Sequence, residues 1–281
     1  MSYSLLQLNT WMGKAVGFFD LFEQLMSDNN PDFVCLQEVH EDFGLGREFS
    51  IHKDLEMRML VEFKRRYWSK YEFTYSPRIS TWISGGNYSL RDEVNHWGNV
   101  IMWKRDEWTL MESRTRFLWG GHDTYNHHDD TTLPVNIQSV VLQNRESGKN
   151  ILMCNVHGWY AGKGVGKVDT PQRFEQSEKI VQFIKEFGDI PVLLSGDFNL
   201  DISNESLQLL EEGLGRNSNA IKNFNIELTR TTLYPEAKRI KDPHANYILS
   251  NEHIFQIGCK AYTEMQISDH APLVLDFDIT G

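Results

Sequence analysis

Apolar residues recur along the chain in eleven short runs, near 3–9, 33–38, 71–76, 98–103, 109–117, 135–144, 150–157, 190–196, 246–250, 254–262 and 271–279. Runs of this length, bounded by turn-forming residues, predict β-strands. Helical spacing is clearest in three places. Over 14–28 it puts Val16, Phe19, Leu21, Phe22 and Leu25 on one face. Residues 52–68 are rich in good helix formers, and 170–187 open with Asp169-Thr170-Pro171, a cap followed by proline in the first turn. Many strands with few helices argue against a purely parallel doubly wound sheet and predict two packed mixed sheets with helices outside, an α/β arrangement. Two long polar, aromatic stretches, 77–97 and 118–134, are expected to be loops that shape a pocket.

The polar residues that interrupt this pattern cluster at strand ends. Asp197 and Asn199, in SGDFN, follow the apolar run Ile190–Leu194, with Gly196 expected to permit a tight turn. Asn9 ends Tyr3–Leu8, Glu38 ends Phe33–Gln37, and Asn155 and His157 end Ile151–Cys154. Asp269-His270 stands just before the run Ala271–Phe277. In extended backbone, the i, i+2 spacing of Asp197 and Asn199 would point both side chains the same way. Hard oxygen donors of this kind suit Mg²⁺, and histidines suit proton transfer or anion stabilisation. Each residue taken alone is also an ordinary turn or strand terminus.

The motifs LNTW, LQEVH, WGNVI, NVHG, SGDFN and SDHAPL occur in that order from Leu8 to Leu273. Together the set resembles the endonuclease/exonuclease/phosphatase superfamily, in its histidine-containing, deoxyribonuclease I-like branch. The resemblance implies a four-layer α/β/β/α sandwich with the site at one edge, and a Mg²⁺-dependent phosphoesterase in which Mn²⁺ can substitute. It assigns Glu38, with Asn9 and Asp269, to the metal, and Asp197, assisted by Asn199, to the attacking water. It gives His157 and His270 to the phosphoryl group. His157 argues against an apurinic endonuclease, whose branch carries a tyrosine motif at this point. One residue departs from the pattern. Where an Asp usually orients the last histidine, this chain has Asn246, which accepts a hydrogen bond but adds no charge. Around the site, Asn155, Trp159, Lys163 and Arg173 are candidate substrate contacts. Lys163 and Lys167 stand close to a helix N-terminus that could hold phosphate. The loop cluster His122, His127, His128, Asp129 and Asp130 matches no strong metal motif.

Phosphodiester hydrolysis, by a nuclease or a phosphodiesterase, is the first reading, with a phosphate-ester substrate that is either a nucleic acid or a small molecule. A phosphomonoesterase on a small phosphorylated metabolite, sugar or inositol is the alternative. A non-catalytic binding module on the same scaffold rests on Asn246 alone. The formal net charge of −11 argues against a protein that binds long nucleic acid through a basic face, and mildly favours a compact substrate. Lys64, Arg65, Arg66 and Lys70 read as the exposed face of a helix. Cys35, Cys154 and Cys259, an odd count in apolar runs, read as reduced, buried thiols. There is no linker or repeat, so one domain over 1–281 is expected. No run approaches the ~20 apolar residues of a membrane span. No secretory leader is evident, which points to the cytoplasm, and no protein partner is inferred.

Overall fold

The computed structural model describes residues 2–41, 58–82, 94–122, 124–125, 129–162, 165–215 and 218–280. All eleven expected strands are present: β1 Tyr3–Asn9, β2 Phe33–Glu41, β3 Tyr71–Trp82, β4 Val94–Lys104, β5 Trp108–Trp119, β6 Val135–Asn144, β7 Asn150–His157, β8 Val192–Asp197, β9 Asn246–Ser250, β10 Ile254–Ala261 and β11 Leu273–Ile279. They form a six-stranded sheet, β10-β11-β1-β2-β4-β3, and a five-stranded sheet, β5-β6-β7-β8-β9. Each sheet has one parallel pair at its centre, β1 with β2 and β7 with β8, and antiparallel partners outside. The parallel strands end at one edge of the sandwich, where the antiparallel neighbours β9 and β11 begin.

Period-two alternation explains the layers. In the first sheet Leu6, Leu8, Val34, Leu36, Val100 and Met102 face outward, onto α1 (Phe18–Asn29) and α2 (Met59–Tyr67). Leu5, Phe33, Cys35, Ile101 and Trp103 face inward, into the core shared with the second sheet. The far side of that second sheet is covered by α3 (Pro171–Lys185) and α4 (Glu205–Leu214). Two shorter helices follow, α5 (Ala220–Asn223) and α6 (Glu236–Lys241). The result is two mixed sheets face to face with helices outside, as the pattern predicts.

Several local expectations change. The first helix begins at Phe18, after Gly17 at φ +72°, so Val16 lies outside it and is exposed. The segment 77–97 is not a loop at its ends: 77–82 belong to β3 and 94–97 to β4, paired antiparallel, while 83–93 lie outside the described residues. Likewise 118–119 complete β5 and 130–132 form a 3₁₀ turn. Residues 52–57 of the second predicted helix also lie outside the described residues. Its remainder, α2, carries Arg65 and Arg66 on its outer face in ion pairs with Glu62 and Glu23. Gly196 makes no turn. It sits inside β8 at φ +151°, where a Cβ would lie 1.9 Å from the Val156 carbonyl oxygen of β7. Glycine is needed there for close strand approach as well as for its backbone angle. The three cysteines are free, Cys35 and Cys154 buried and Cys259 only partly so, on edge strand β10. No helix among the described residues is long and apolar enough to cross a membrane.

Candidate active site

At the edge where β1, β2, β7 and β8 end, the inward positions turn from apolar to polar. Gln7 and Asn9 continue the face of Leu5, Gln37 that of Cys35, and Asn99 that of Ile101. Buried amides therefore meet between the sheets: Gln7 Nε2 donates to Gln37 Oε1 (2.8 Å) and Gln37 Nε2 to Asn155 Oδ1 (2.7 Å). Nearby, Asn99 Nδ2 donates to Asn136 Oδ1 (3.2 Å), and Asn136 Nδ2 to Ser76 Oγ (2.9 Å). Buried polar groups stabilise a fold only when partnered, so this layer fixes how the two sheets register.

A bulge in β2 shapes the next layer. Pairing with β4 shifts register between Leu36 and Val39, and Glu38 adopts φ +59°. The carbonyls this leaves are captured by side chains. Thr10 Oγ1 donates to the Gln37 and Glu38 carbonyls, both at 2.9 Å. Asn155 Nδ2 donates to the Leu36 and Val100 carbonyls, also at 2.9 Å. Bulges of this kind re-aim a side chain, here Glu38.

Asp197 is the hub. Strand register aligns His157, Asp197 and Asn246 side by side across β7, β8 and β9. Asp197 Oδ2 accepts from Asn9 Nδ2 (2.9 Å) and faces His270 Nε2 at 3.5 Å and His157 Nε2 at 3.8 Å. Its Oδ1 accepts from the Asn199 backbone N–H (3.0 Å). The other amide proton of Asn9 reaches Glu38 Oε1 (3.1 Å), while Asn9 Oδ1 accepts from the Trp11 N–H. Asn9 is thus a donor bridging two carboxylates. Glu38 Oε2 is buried without a hydrogen-bond partner among the described residues. Ser268 Oγ ties the last motif to β1, donating to the Asn9 carbonyl (2.7 Å) and accepting from the His270 N–H. Glu38, Asp197, Asp269, His157 and His270 therefore converge, although up to 232 positions separate them.

His270 Nδ1 meets Asn246 Oδ1 at 2.8 Å, as the departure from the family pattern predicts. Its other nitrogen is met by Arg230, a residue the motifs do not mark. A guanidinium only donates, so Nε2 accepts and Nδ1 carries the proton: His270 is neutral here. Burial, then Arg230, hold it well below the usual histidine range. His157 is pushed down to about 3 by burial, then by Arg78. Burial opposes ionisation of Asp197, but His270, Lys167, His157 and Arg230 outweigh it and hold the carboxyl far below the ordinary range. Glu38 is pushed up to about 7, by burial first and by Asp269 next. Asp269 is raised as well, by burial, with Arg230 opposing.

Other expected contacts have different partners. Asn155 is fully buried and all its amide groups are engaged between the sheets, so it supports the site from beneath instead of touching substrate. Trp159 packs in the core, with Nε1 donating to the Thr131 carbonyl (3.1 Å), and offers no stacking face at the surface. Arg173 is buried, and its terminal nitrogens donate to the Val168 and Gly166 carbonyls, which holds that loop. Asn199 has φ +55°, so the extended-strand argument for its direction fails. Its side chain donates to the Gly158 carbonyl and accepts from Lys167 Nζ (2.8 Å). Lys163, His127 and His128 lie outside the described residues. His122 packs edge-on to Phe117, and Asp129 Oδ1 accepts from Thr131.

Among the described residues, no group of three or more His, Cys, Asp or Glu is assembled at metal-binding spacing. The donor set nevertheless fits one hard cation. Glu38 has an unpartnered buried oxygen, Asp269 raises its pKa by proximity, and Mg²⁺ ordinarily takes one or two carboxylates and keeps several waters.

The site residues lie on a fold shared with solved structures. A mannosyl-6-phosphatase from Bacteroides thetaiotaomicron superposes with a TM-score of 0.71 at 16% identity, covering 99% of this chain and 100% of that one. An endonuclease/exonuclease/phosphatase from Bacteroides vulgatus gives 0.69 at 16% identity, covering 99% of each chain. The human Nocturnin catalytic domain gives 0.66 at 18% identity, covering 99% and 95%. No curated protein matches in sequence. Residues 6–270 match the Endonuclease/Exonuclease/phosphatase family, and the chain belongs to that family.

Proposed function

We propose that the chain is a Mg²⁺-dependent phosphoester hydrolase, with Mn²⁺ able to substitute, acting on a compact phosphate ester. The observation that carries this is the hub at Asp197. An ionised carboxylate faces two neutral imidazoles and lies one bridging amide from Glu38, whose free oxygen is suited to a cation.

Glu38 and Asp269 would hold the metal, which supplies Lewis-acid polarisation of a phosphoryl oxygen when bound. Asn9 sets the two carboxylates' separation by donating to Glu38 and Asp197. Asp197 is too weak a base to be well matched to proton abstraction at neutral pH, so its role is to orient the water whose oxygen bonds phosphorus as the ester P–O bond breaks. His157 and His270 are oriented toward the same oxygen of Asp197. His157 would donate to the phosphoryl or leaving oxygen, and His270, accepting at Nε2, would hold the Arg230 guanidinium toward the phosphoryl group. Arg230 brings the positive charge that Asn246 does not induce on His270. It also lies 3.9 Å from Asp269 Oδ2, beside a carboxylate that would hold the metal, where its charge would stabilise a negatively charged phosphoryl group.

The substrate class comes from the site as a whole. Phosphodiester hydrolysis remains the primary reading and phosphomonoester hydrolysis the alternative, and the neighbour whose name is a mannosyl-6-phosphatase adds support to the second. The test is product release from a panel of phosphodiesters and phosphomonoesters with Mg²⁺, Mn²⁺ or EDTA. Turnover that needs the cation supports the proposal, and equal rates in EDTA would overturn it.

A further inference from the structure

Arg78, near the end of β3, is 1% exposed, one of the largest side chains wholly inside the protein. Its Nε donates to the Pro134 carbonyl, and its guanidinium lies over the Trp97 ring, 5.5 Å from the centroid. Both terminal nitrogens are buried with no hydrogen-bond partner among the described residues. Arg173, equally buried, has both terminal nitrogens on carbonyls, and Arg65, Arg66, Arg114 and Arg116 have carboxylates. A charged fork held this deep without an acceptor is strongly unfavourable unless an anion completes it.

The fork belongs to the active site. The Trp97 ring beneath it meets the His157 ring edge-on, with centroids 5.7 Å apart. Its charge acts on Glu38 and His157, and the carboxylates of Glu38 and Asp197 act back on it. Arg230 reaches the same cluster past His270, so cations enter from two separate segments, β3 and the bridge between Arg230 and His270. An internal phosphodiester brings one negative charge, and the metal, Arg230 and the two histidines already address it. The unpaired fork of Arg78 is additional.

We propose that Arg78 is a specificity residue that recognises a second negative charge on the substrate, carried by a terminal phosphate or by a separate anionic group beside the scissile ester. This rests on reading the site as a phosphoester hydrolase. It implies that a phosphodiester without a further anion is a poor substrate.

Three esters with a common 4-nitrophenolate leaving group test this: 4-nitrophenyl phosphate, its methyl diester, and a diester carrying a carboxyalkyl group. Arg78→Met should lower kcat/KM for a doubly charged ester at least about 30-fold more than for the methyl diester. A selective loss on the monoester assigns the fork to a terminal phosphate, and a selective loss on the carboxyalkyl diester assigns it to a separate anion. Equal losses on all three would overturn the proposal. Arg78→Lys keeps a charge without the fork and should lose part of the same selectivity, so it carries the comparison if Arg78→Met does not fold. Inorganic phosphate gives a readout independent of turnover. It should raise the unfolding temperature of the wild type in EDTA and raise that of Arg78→Met or Arg78→Lys less. If no ester is hydrolysed with Mg²⁺, the hydrolase reading fails, while phosphate stabilisation still decides whether Arg78 binds an anion. Equal stabilisation of wild type and variants would overturn the proposal.

Discussion

Glu38→Gln should make the metal-free protein more stable at alkaline pH. Glu38 Oε1 accepts from Asn9, its Oε2 has no partner among the described residues, and the side chain is only 14% exposed. Burial and Asp269 raise its carboxyl from 4.5 to about 7. The difference of about 2.5 units, at roughly 1.36 kcal/mol per unit, amounts to about 3 kcal/mol. The sign follows from proton binding. Below pH 4.5 both the folded and unfolded chains hold this proton. Between 4.5 and about 7 the unfolded chain has released it and the folded chain has not, so stability falls as pH rises and stays lower above 7. Glutamine keeps the oxygen that Asn9 needs and removes the titration. Urea unfolding in EDTA should therefore show the variant and wild type converging near pH 4.5. By pH 8 they should differ by up to about 3 kcal/mol in favour of the variant. Adding Mg²⁺ at pH 8 should stabilise the wild type and leave the variant little changed, because ligand binding to the folded state alone raises stability. Identical pH dependence in the two proteins would refute the argument that an unpartnered, buried Glu38 is held near its acidic neighbours.

Asn155→Ala should destabilise the protein by about 3 kcal/mol, since it strands the Leu36 and Val100 carbonyls and Gln37 Nε2 together. An unfolding free energy within about 0.5 kcal/mol of wild type would show that Asn155 does not hold the sheets in register. Asn246→Asp should raise the pKa of His270, because a carboxylate at the ring's Nδ1 favours the imidazolium and partly offsets Arg230. An imidazole NMR titration that does not move to higher pH would uncouple the two residues.

Strands were legible because alternation and turn residues mark them locally: Leu5, Gln7 and Asn9 share one face, and Leu6 and Leu8 the other. The fourth outer helix, α4, carries a readable signal too, with Leu207, Leu210 and Leu214 buried at helical spacing after Asn204. Site residues in ordered motifs were legible as a group, because strand ends that share an edge bring them together. Their partners were not. Whether Asn155 faces substrate or the opposite sheet depends on the β2 bulge, beside which it captures the carbonyl of Leu36, 119 positions away. Trp159 stands next to a catalytic candidate in sequence yet points into the core. Arg78 and Arg230 belong to no motif and reach the site only through tertiary folding. Gln7 and Gln37 offered another missed local clue, polar residues at inward positions of otherwise apolar strands.

Asp197 joins every part of the site, so the most direct test is kcat/KM of wild type and Asp197→Ala on the best ester found, at saturating Mg²⁺ and in EDTA. Wild-type turnover should need the cation. The variant should remain folded and lose at least about 10²-fold, because no other carboxylate of the cluster is placed between both histidines to align the water. A folded Asp197→Ala protein with near-wild-type, Mg²⁺-dependent activity would contradict the central claim.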